Sequence, residues 1–246
     1  MSYISTVMQA AIKTSLRLRS VVIVSMGVVF ICVIGVAAIF ATQFISPGVN
    51  TAIPDRSALE NYFGLILFTT CFISIGIFAS VNAFQSLTRE KSRGNIQALL
   101  ATPLAPHDIW LGKSLAVFLP GFILAVVMTI AIFLVLNFIY FIPKIGFFLT
   151  PWMLISNLVA VPLVYLALML LVHEIGLAGK PSTPNVITQI FLPVMIALMI
   201  NLVVHGVMNA GSWLFTVALV GLAVVISVFV LKLRSTLTVQ KIILSQ

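Results

Sequence analysis

The chain has 246 residues, 61% of them hydrophobic and only 7% charged, with a formal net charge of +8. A soluble domain is roughly half apolar and about a quarter charged, so this composition excludes a soluble globular enzyme or binding domain. The excess of Lys and Arg does not describe a nucleic-acid face either, because the basic residues lie in short clusters between long uncharged runs.

Residues 2–19 read as an amphipathic helix. Ile4, Val7, Met8, Ala11, Ser15 and Leu18 share one helical stripe, and Ser2, Thr6, Gln9, Lys13 and Arg17 share the opposite one. A helix of this pattern is expected to lie in the membrane interface, as an interfacial helix over about 1–20, with its basic face on anionic head groups.

No Asp, Glu, Lys or Arg occurs from Ser20 to Pro54, Asn61 to Thr88, Ser114 to Pro143, Ile145 to His173, or Pro181 to Leu231. A helix needs about 20 apolar residues to cross a bilayer core. Each of the first four runs holds one span, and the fifth holds two, divided by the turn-rich 205–212. The expected fold is therefore all-α and polytopic, with spans near 21–45, 62–87, 110–141, 151–173, 186–204 and 212–231. The first is too long for a removable leader and lacks a small-residue cleavage site, so it is expected to remain as an anchor. The connector 46–60, with Pro47, Gly48, Pro54 and Asp55, reads as turns rather than a domain.

Charge asymmetry sets the orientation. With the N-terminus inside, Lys13, Arg17, Arg19, Arg89, Lys91, Arg93, Lys113, Lys180, Lys232, Arg234 and Lys241 fall on the inner side, leaving Arg56 and Lys144 outside. That is the positive-inside distribution, so both termini are expected in the cytoplasm. Tyr62, Tyr140, Trp152 and Trp213 fall at outer ends and Trp110 at an inner one, as an aromatic belt places them. Cys32 and Cys71 both fall within spans and read as small apolar filler rather than a disulfide.

Several local patterns point to chemistry and fail on spacing. Gly112-Lys113-Ser114 lacks the glycine that a phosphate-binding loop requires five positions before Gly112, where His107 stands, and Gly179-Lys180 is followed by Pro181. The chain is thus not expected to be an enzyme or to bind ATP, a metal or another cofactor itself. His173-Glu174 has no second ligand at zinc spacing and reads as a helix-end pair facing water. His205 reads as interfacial. No charge stands clearly inside a span. The embedded polar residues Gln43, Thr69, Thr70, Asn82, Asn137, Asn157, Gln189 and Asn201 read as interhelical hydrogen-bonding or helix-end residues. Pro193 makes span 5 the single candidate for a broken helix.

The most informative stretch joins spans 2 and 3. Arg89, Glu90, Lys91 and Arg93 form a charged patch, Gly94 interrupts it, and Ile96, Leu99 and Leu100 form an apolar one, before Thr102-Pro103 stops the helix. Asp108 then serves as an N-cap or first-turn anion for span 3. The order Arg89-Glu90, Gly94, Leu99-Leu100, Thr102-Pro103-Leu104, Asp108-Ile109 and Gly112-Lys113 resembles the signature that follows the second span of ABC-2 type exporter permeases. The chain departs from that pattern at Asn95-Ile96-Gln97, where the family commonly has Thr-Leu-Glu, and at Pro106 and His107.

The resemblance implies a transmembrane half-transporter in the plasma (inner) membrane of a prokaryote. A second permease subunit, identical or related, would pair with it, and two cytoplasmic ATPase subunits would carry the ATP and Mg. The segment 89–101 would be the coupling helix docking on that ATPase, through Arg89, Glu90, Lys91, Arg93, Gly94, Asn95, Ile96, Gln97, Leu99, Leu100 and Pro103. Spans 1, 2 and 5 would line the cargo path, which places Phe72, Ile75, Ala79 and Asn82 beside Phe191, Met195, Leu198 and Asn201. A Phe- and Met-rich lining suits an apolar or amphipathic cargo. Multidrug, peptide, copper-related, haem or cytochrome-assembly, and polysaccharide or lipid export all stay open. The alternative class is a secondary transporter or channel working without ATP, which would show ionisable residues inside the membrane, broken spans or inverted repeats.

Overall fold

The computed structural model describes residues 3–17, 19–51, 53–92, 104–179 and 183–234, with the side chains of 15–19, 82–92 and 185 left aside. Among these residues there is no strand. Six helices are long and apolar enough to span a bilayer: span 1 (Ser20–Val49), span 2 (Arg56–Val81), span 3 (Pro106–Phe141), span 4 (Pro151–Ala178), span 5 (Val186–Val204) and span 6 (Trp213–Leu233). They fall where the uncharged runs place them, with two shifts. Helix continues to Val49 and resumes at Arg56, so the connector expected over 46–60 is shorter. Span 3 starts at Pro106, whose fixed φ and missing N–H suit the first helical turn, and Asp108 lies in that turn as an anion beside the helix N-terminus.

Span 2 occupies the centre and packs against spans 1, 3, 4 and 5, while span 6 packs on span 4. Spans 2 and 5 are the least apolar of the six, yet span 2 is mostly buried and span 5 is the most exposed. Burial suits span 2, whose Thr69, Thr70, Cys71 and Ser74 are all covered. The amino-terminal helix, Tyr3–Arg17, lies along the start of span 3. Val7 is buried, Ile4, Met8 and Ala11 are half-covered, and Thr6, Gln9 and Lys13 are exposed, as the stripe predicts. The close approach depends on Gly112, where an added Cβ would stand 2.7 Å from Val7 Cγ1 and 3.2 Å from the Ile4 carbonyl oxygen.

Three spans contain a wide π-helical turn: Ala41–Ile45, Asn137–Phe141 and Ser156–Ala160. Each is centred on the residue four before a proline, namely Gln43 before Pro47, Ile139 before Pro143 and Leu158 before Pro162. In an α-helix the proline ring collides with the carbonyl four residues back and offers it no N–H. Widening the turn by one residue relieves both problems, and helix continues through Pro47 and Pro162, while span 3 ends at Phe141 and leaves Pro143 in the following turn. Pro162 leaves one further consequence. It has no N–H for the Asn157 carbonyl, and the buried Cys71 thiol of span 2 donates to that oxygen instead, at 2.9 Å. Span 5 stays continuous through Pro193, within the helix Thr183–Val204.

All three π turns lie toward the end of the bundle remote from the amino-terminal helix, here called the distal end. There Phe63 packs on Phe133, Phe141 and Phe148, with ring centroids 5.6, 5.0 and 6.3 Å away. Asn137 ties the following loop to span 3, accepting from Phe148 N at 2.8 Å and donating to the Phe133 carbonyl at 3.0 Å. The turn between spans 5 and 6 seats on span 2, where Ala210 N donates to Asn61 Oδ1 at 2.7 Å. A Cβ at Gly64 would stand 2.8 Å from the Ala210 carbonyl carbon, so only glycine permits the contact.

Candidate functional site

The polar stretch after span 2 is positioned by one uninterrupted helix, Arg56–Ser92, of 37 residues. Asp55 opens it, its Oδ1 accepting from Ser57 N at 2.9 Å and Ala58 N at 3.3 Å. At 1.5 Å per residue the helix is about 55 Å long, far more than the roughly 30 Å of a bilayer core. Arg89, Glu90 and Lys91 thus continue the span itself, with no break after residue 87. The rest of the expected coupling segment, from Arg93 to Pro103, lies outside the described residues.

The residues expected along a cargo path divide into two groups. Phe72, Ile75, Ala79 and Met195 are buried in one core cluster with Phe191 against it. Phe72 packs on Tyr165 and Phe191 at 4.7 and 5.9 Å between centroids, and Tyr165 donates to the Phe72 carbonyl at 3.0 Å. Gly76 makes room for that tyrosine, since a Cβ there would collide with its hydroxyl and with Leu192. Leu198 and Asn201 face outward, as does Gln189 on the same helix. The side chain of Asn82 is not among those described.

Ionisable residues enter the membrane helices where the sequence pattern suggested none. Lys113, in the second turn of span 3, is 3% exposed, and His173 and Glu174, near the end of span 4, are 0% and 1% exposed. The reading of His173-Glu174 as a water-facing pair is therefore wrong. The helix runs on to Ala178, carrying the pair a full turn inside its end. The apolar Ile175-Gly176-Leu177-Ala178 that follows the pair was the available signal. Trp110 departs from the belt in the same way. It is buried, and its Nε1 donates to the Leu170 carbonyl at 2.8 Å, joining spans 3 and 4. Trp152 and Trp213 are exposed, as a belt requires.

Most embedded polar groups bond within their own helix rather than between helices. Thr69 donates to the Leu65 carbonyl, Ser74 to that of Thr70 and Asn157 to that of Met153. Cys32 and Cys71 are both free thiols. Among the described residues no group of three or more His, Cys, Asp or Glu could hold a metal ion.

These features define a multi-pass α-helical membrane protein whose central buried span belongs to a helix longer than a bilayer core. No family model, no curated protein and no solved structure matches the chain.

Proposed function

We propose that this chain is the membrane-embedded half of an exporter driven by a separate cytoplasmic ATPase. The observation that carries the reading is the single helix Arg56–Ser92. Its middle packs against four other spans and its end carries Arg89, Glu90 and Lys91 beyond the bilayer. A stiff rod of this kind passes a displacement at its polar end into the packed core, because close-packed interiors deform little. The amino-terminal end of the bundle is then the cytoplasmic one. The amino-terminal helix rests in the interface there, and residues 89–101 form the coupling element received by the ATPase, which supplies the ATP and Mg site.

Span 5 supports a paired assembly. Gln189 and Asn201 lie on its outward face. Asn201 Nδ2 donates to the Ala197 carbonyl of its own helix at 2.9 Å, and an amide, being both donor and acceptor, can use its remaining groups to match its own copy across a two-fold axis. A second permease subunit against span 5 satisfies both, and a path between the two copies for an apolar or amphipathic cargo would include Leu198 and Asn201.

The test is co-purification of an ATPase with the tagged chain from its native membrane. Leu99→Asp with Leu100→Asp is expected to abolish recovery of the ATPase while leaving membrane insertion intact, and unchanged recovery overturns the assignment. The second reading, a carrier working without ATP, draws support from the buried Lys113, His173 and Glu174. Cargo movement by the purified chain alone in vesicles would establish it.

A further inference from the structure

The amino-terminal end of the bundle carries a buried pair of ionisable groups for which the exporter reading has no role. His173 and Glu174 are consecutive and buried on span 4, toward the end where Trp110 of span 3, Leu177 of span 4 and Val230 of span 6 pack together. The imidazole fixes its own tautomer. Its Nδ1 lies 2.9 Å from the Met169 carbonyl oxygen, and a carbonyl only accepts, so Nδ1 bears the hydrogen and Nε2 presents a lone pair. Among the described residues that Nε2 has no hydrogen-bond partner, and neither carboxyl oxygen of Glu174 has one. One turn thus holds three acceptor atoms for which the described residues supply no donor.

An ionised carboxylate shut away from water without donors is costly enough that such groups neutralise instead. A proton is the smallest remedy, and it turns one of the acceptors into an O–H donor. Two cations are near the pair: Lys113, buried in the second turn of span 3, and Arg234, exposed just past span 6, which makes no hydrogen bond to Glu174. His107 and Asp108 in the first turn of span 3, and Lys232 in the last turn of span 6, complete the titratable and charged groups at this end of spans 3, 4 and 6 among the described residues.

We propose that Glu174 is a proton-carrying site, holding a proton while the ends of spans 3, 4 and 6 are packed as here and releasing it when they separate. On separation, water and Arg234 reach the carboxylate and take over its solvation. The packed arrangement then binds one proton more than the open one. Acid favours packing and alkali favours opening, by at most about tenfold per pH unit for one proton. The site is a property of the resting bundle and holds whether ATP or an ion gradient drives it.

The chain has only five side-chain carboxyls, Asp55, Glu60, Glu90, Asp108 and Glu174, so infrared spectroscopy of the full-length protein in lipid vesicles can assign them. The expected result at neutral pH is a protonated-carboxyl stretch that is absent in Glu174→Gln, shifted in Glu174→Asp and unchanged in Glu60→Gln. A wild-type spectrum without that band, or a band that survives in Glu174→Gln, overturns the proposal. Coupling to opening is read by maleimide labelling of Val230→Cys in a Cys32→Ser background. Relative to the Glu174→Gln control, which cancels the pH dependence of the thiol, labelling is expected to rise with pH. A constant ratio overturns the coupling.

Discussion

The two ends of the bundle are closed by different means. At the distal end, aromatic rings, glycine-enabled backbone contacts and the amide of Asn137 bind loops to helices, each through groups that find partners. At the amino-terminal end, a turn of span 4 brings together ionisable groups whose acceptors go unanswered. Orphaned atoms occur elsewhere, at Thr129 Oγ1, Asn157 Oδ1 and Thr216 Oγ1, but those are neutral hydroxyls and an amide. The contrast separates a seal that works by fit from an end whose packing depends on protonation. Substitutions at the first should cost stability, and at the second they should change response more than stability.

The largest expected effect is at Gly64. Its Cβ direction meets backbone atoms of Ala210 and Gly211 rather than a movable side chain, so Gly64→Leu must displace the turn between spans 5 and 6. A loss of about 3 kcal/mol is expected from overpacking, measured as a lowered midpoint of thermal unfolding in detergent. An unchanged midpoint would show that the turn is not held against span 2. Asn137→Leu comes next. It removes the acceptor for the buried Phe148 N–H, and about 2 kcal/mol is expected for leaving that donor unsatisfied. Asn137→Asp keeps the acceptor and should recover part of the loss.

Much of this fold was legible in the sequence. Charge-free runs placed all six spans, and the stripe through Ile4, Val7, Met8 and Ala11 gave the correct face of the amino-terminal helix. Helix ends were less clear, because Pro47 looks like a stop yet continues as helix once the turn before it widens, whereas span 3 does end just before Pro143. The π turns had a signal in Pro47, Pro143 and Pro162, but Pro120 and Pro193 lie inside helices without one, so proline alone does not decide. The buried Lys113, His173 and Glu174 were missed for a different reason. Charge near the end of an apolar run marks the end of a span only if the helix stops there, and here each helix carries the charge a turn or more inside. The polar stretch after span 2 was legible as a break in the apolar pattern, and Arg89, Glu90 and Lys91 prove to be the direct extension of span 2.

A smaller effect is expected within the core that joins the two ends. Tyr165→Phe removes the hydroxyl that bonds the Phe72 carbonyl, an acceptor already serving its own helix. Interhelical bonds in membranes contribute about 0.6 kcal/mol on average, so a shift of that order in the unfolding midpoint is expected. A loss several times larger would mean that the hydroxyl also orders Phe191 and the face of span 5.

The smallest change, and the one that tests the contrast most sharply, is Glu174→Leu. A carboxylate bonded to a buried cation destabilises strongly when removed, by about 3–5 kcal/mol, because the partner is left uncompensated. A carboxyl with no donor around it leaves nothing uncompensated, and an apolar side chain of similar size fills its place. Glu174→Leu is therefore expected within about 0.5 kcal/mol of wild type or slightly more stable, on the scale of ordinary neutral substitutions, while Asn137→Leu, the same exchange of a polar for an apolar side chain at the distal end, destabilises. Equal losses at the two positions would erase the distinction between the ends and would assign Glu174 a bonded cationic partner, with Arg234, just past span 6, a candidate.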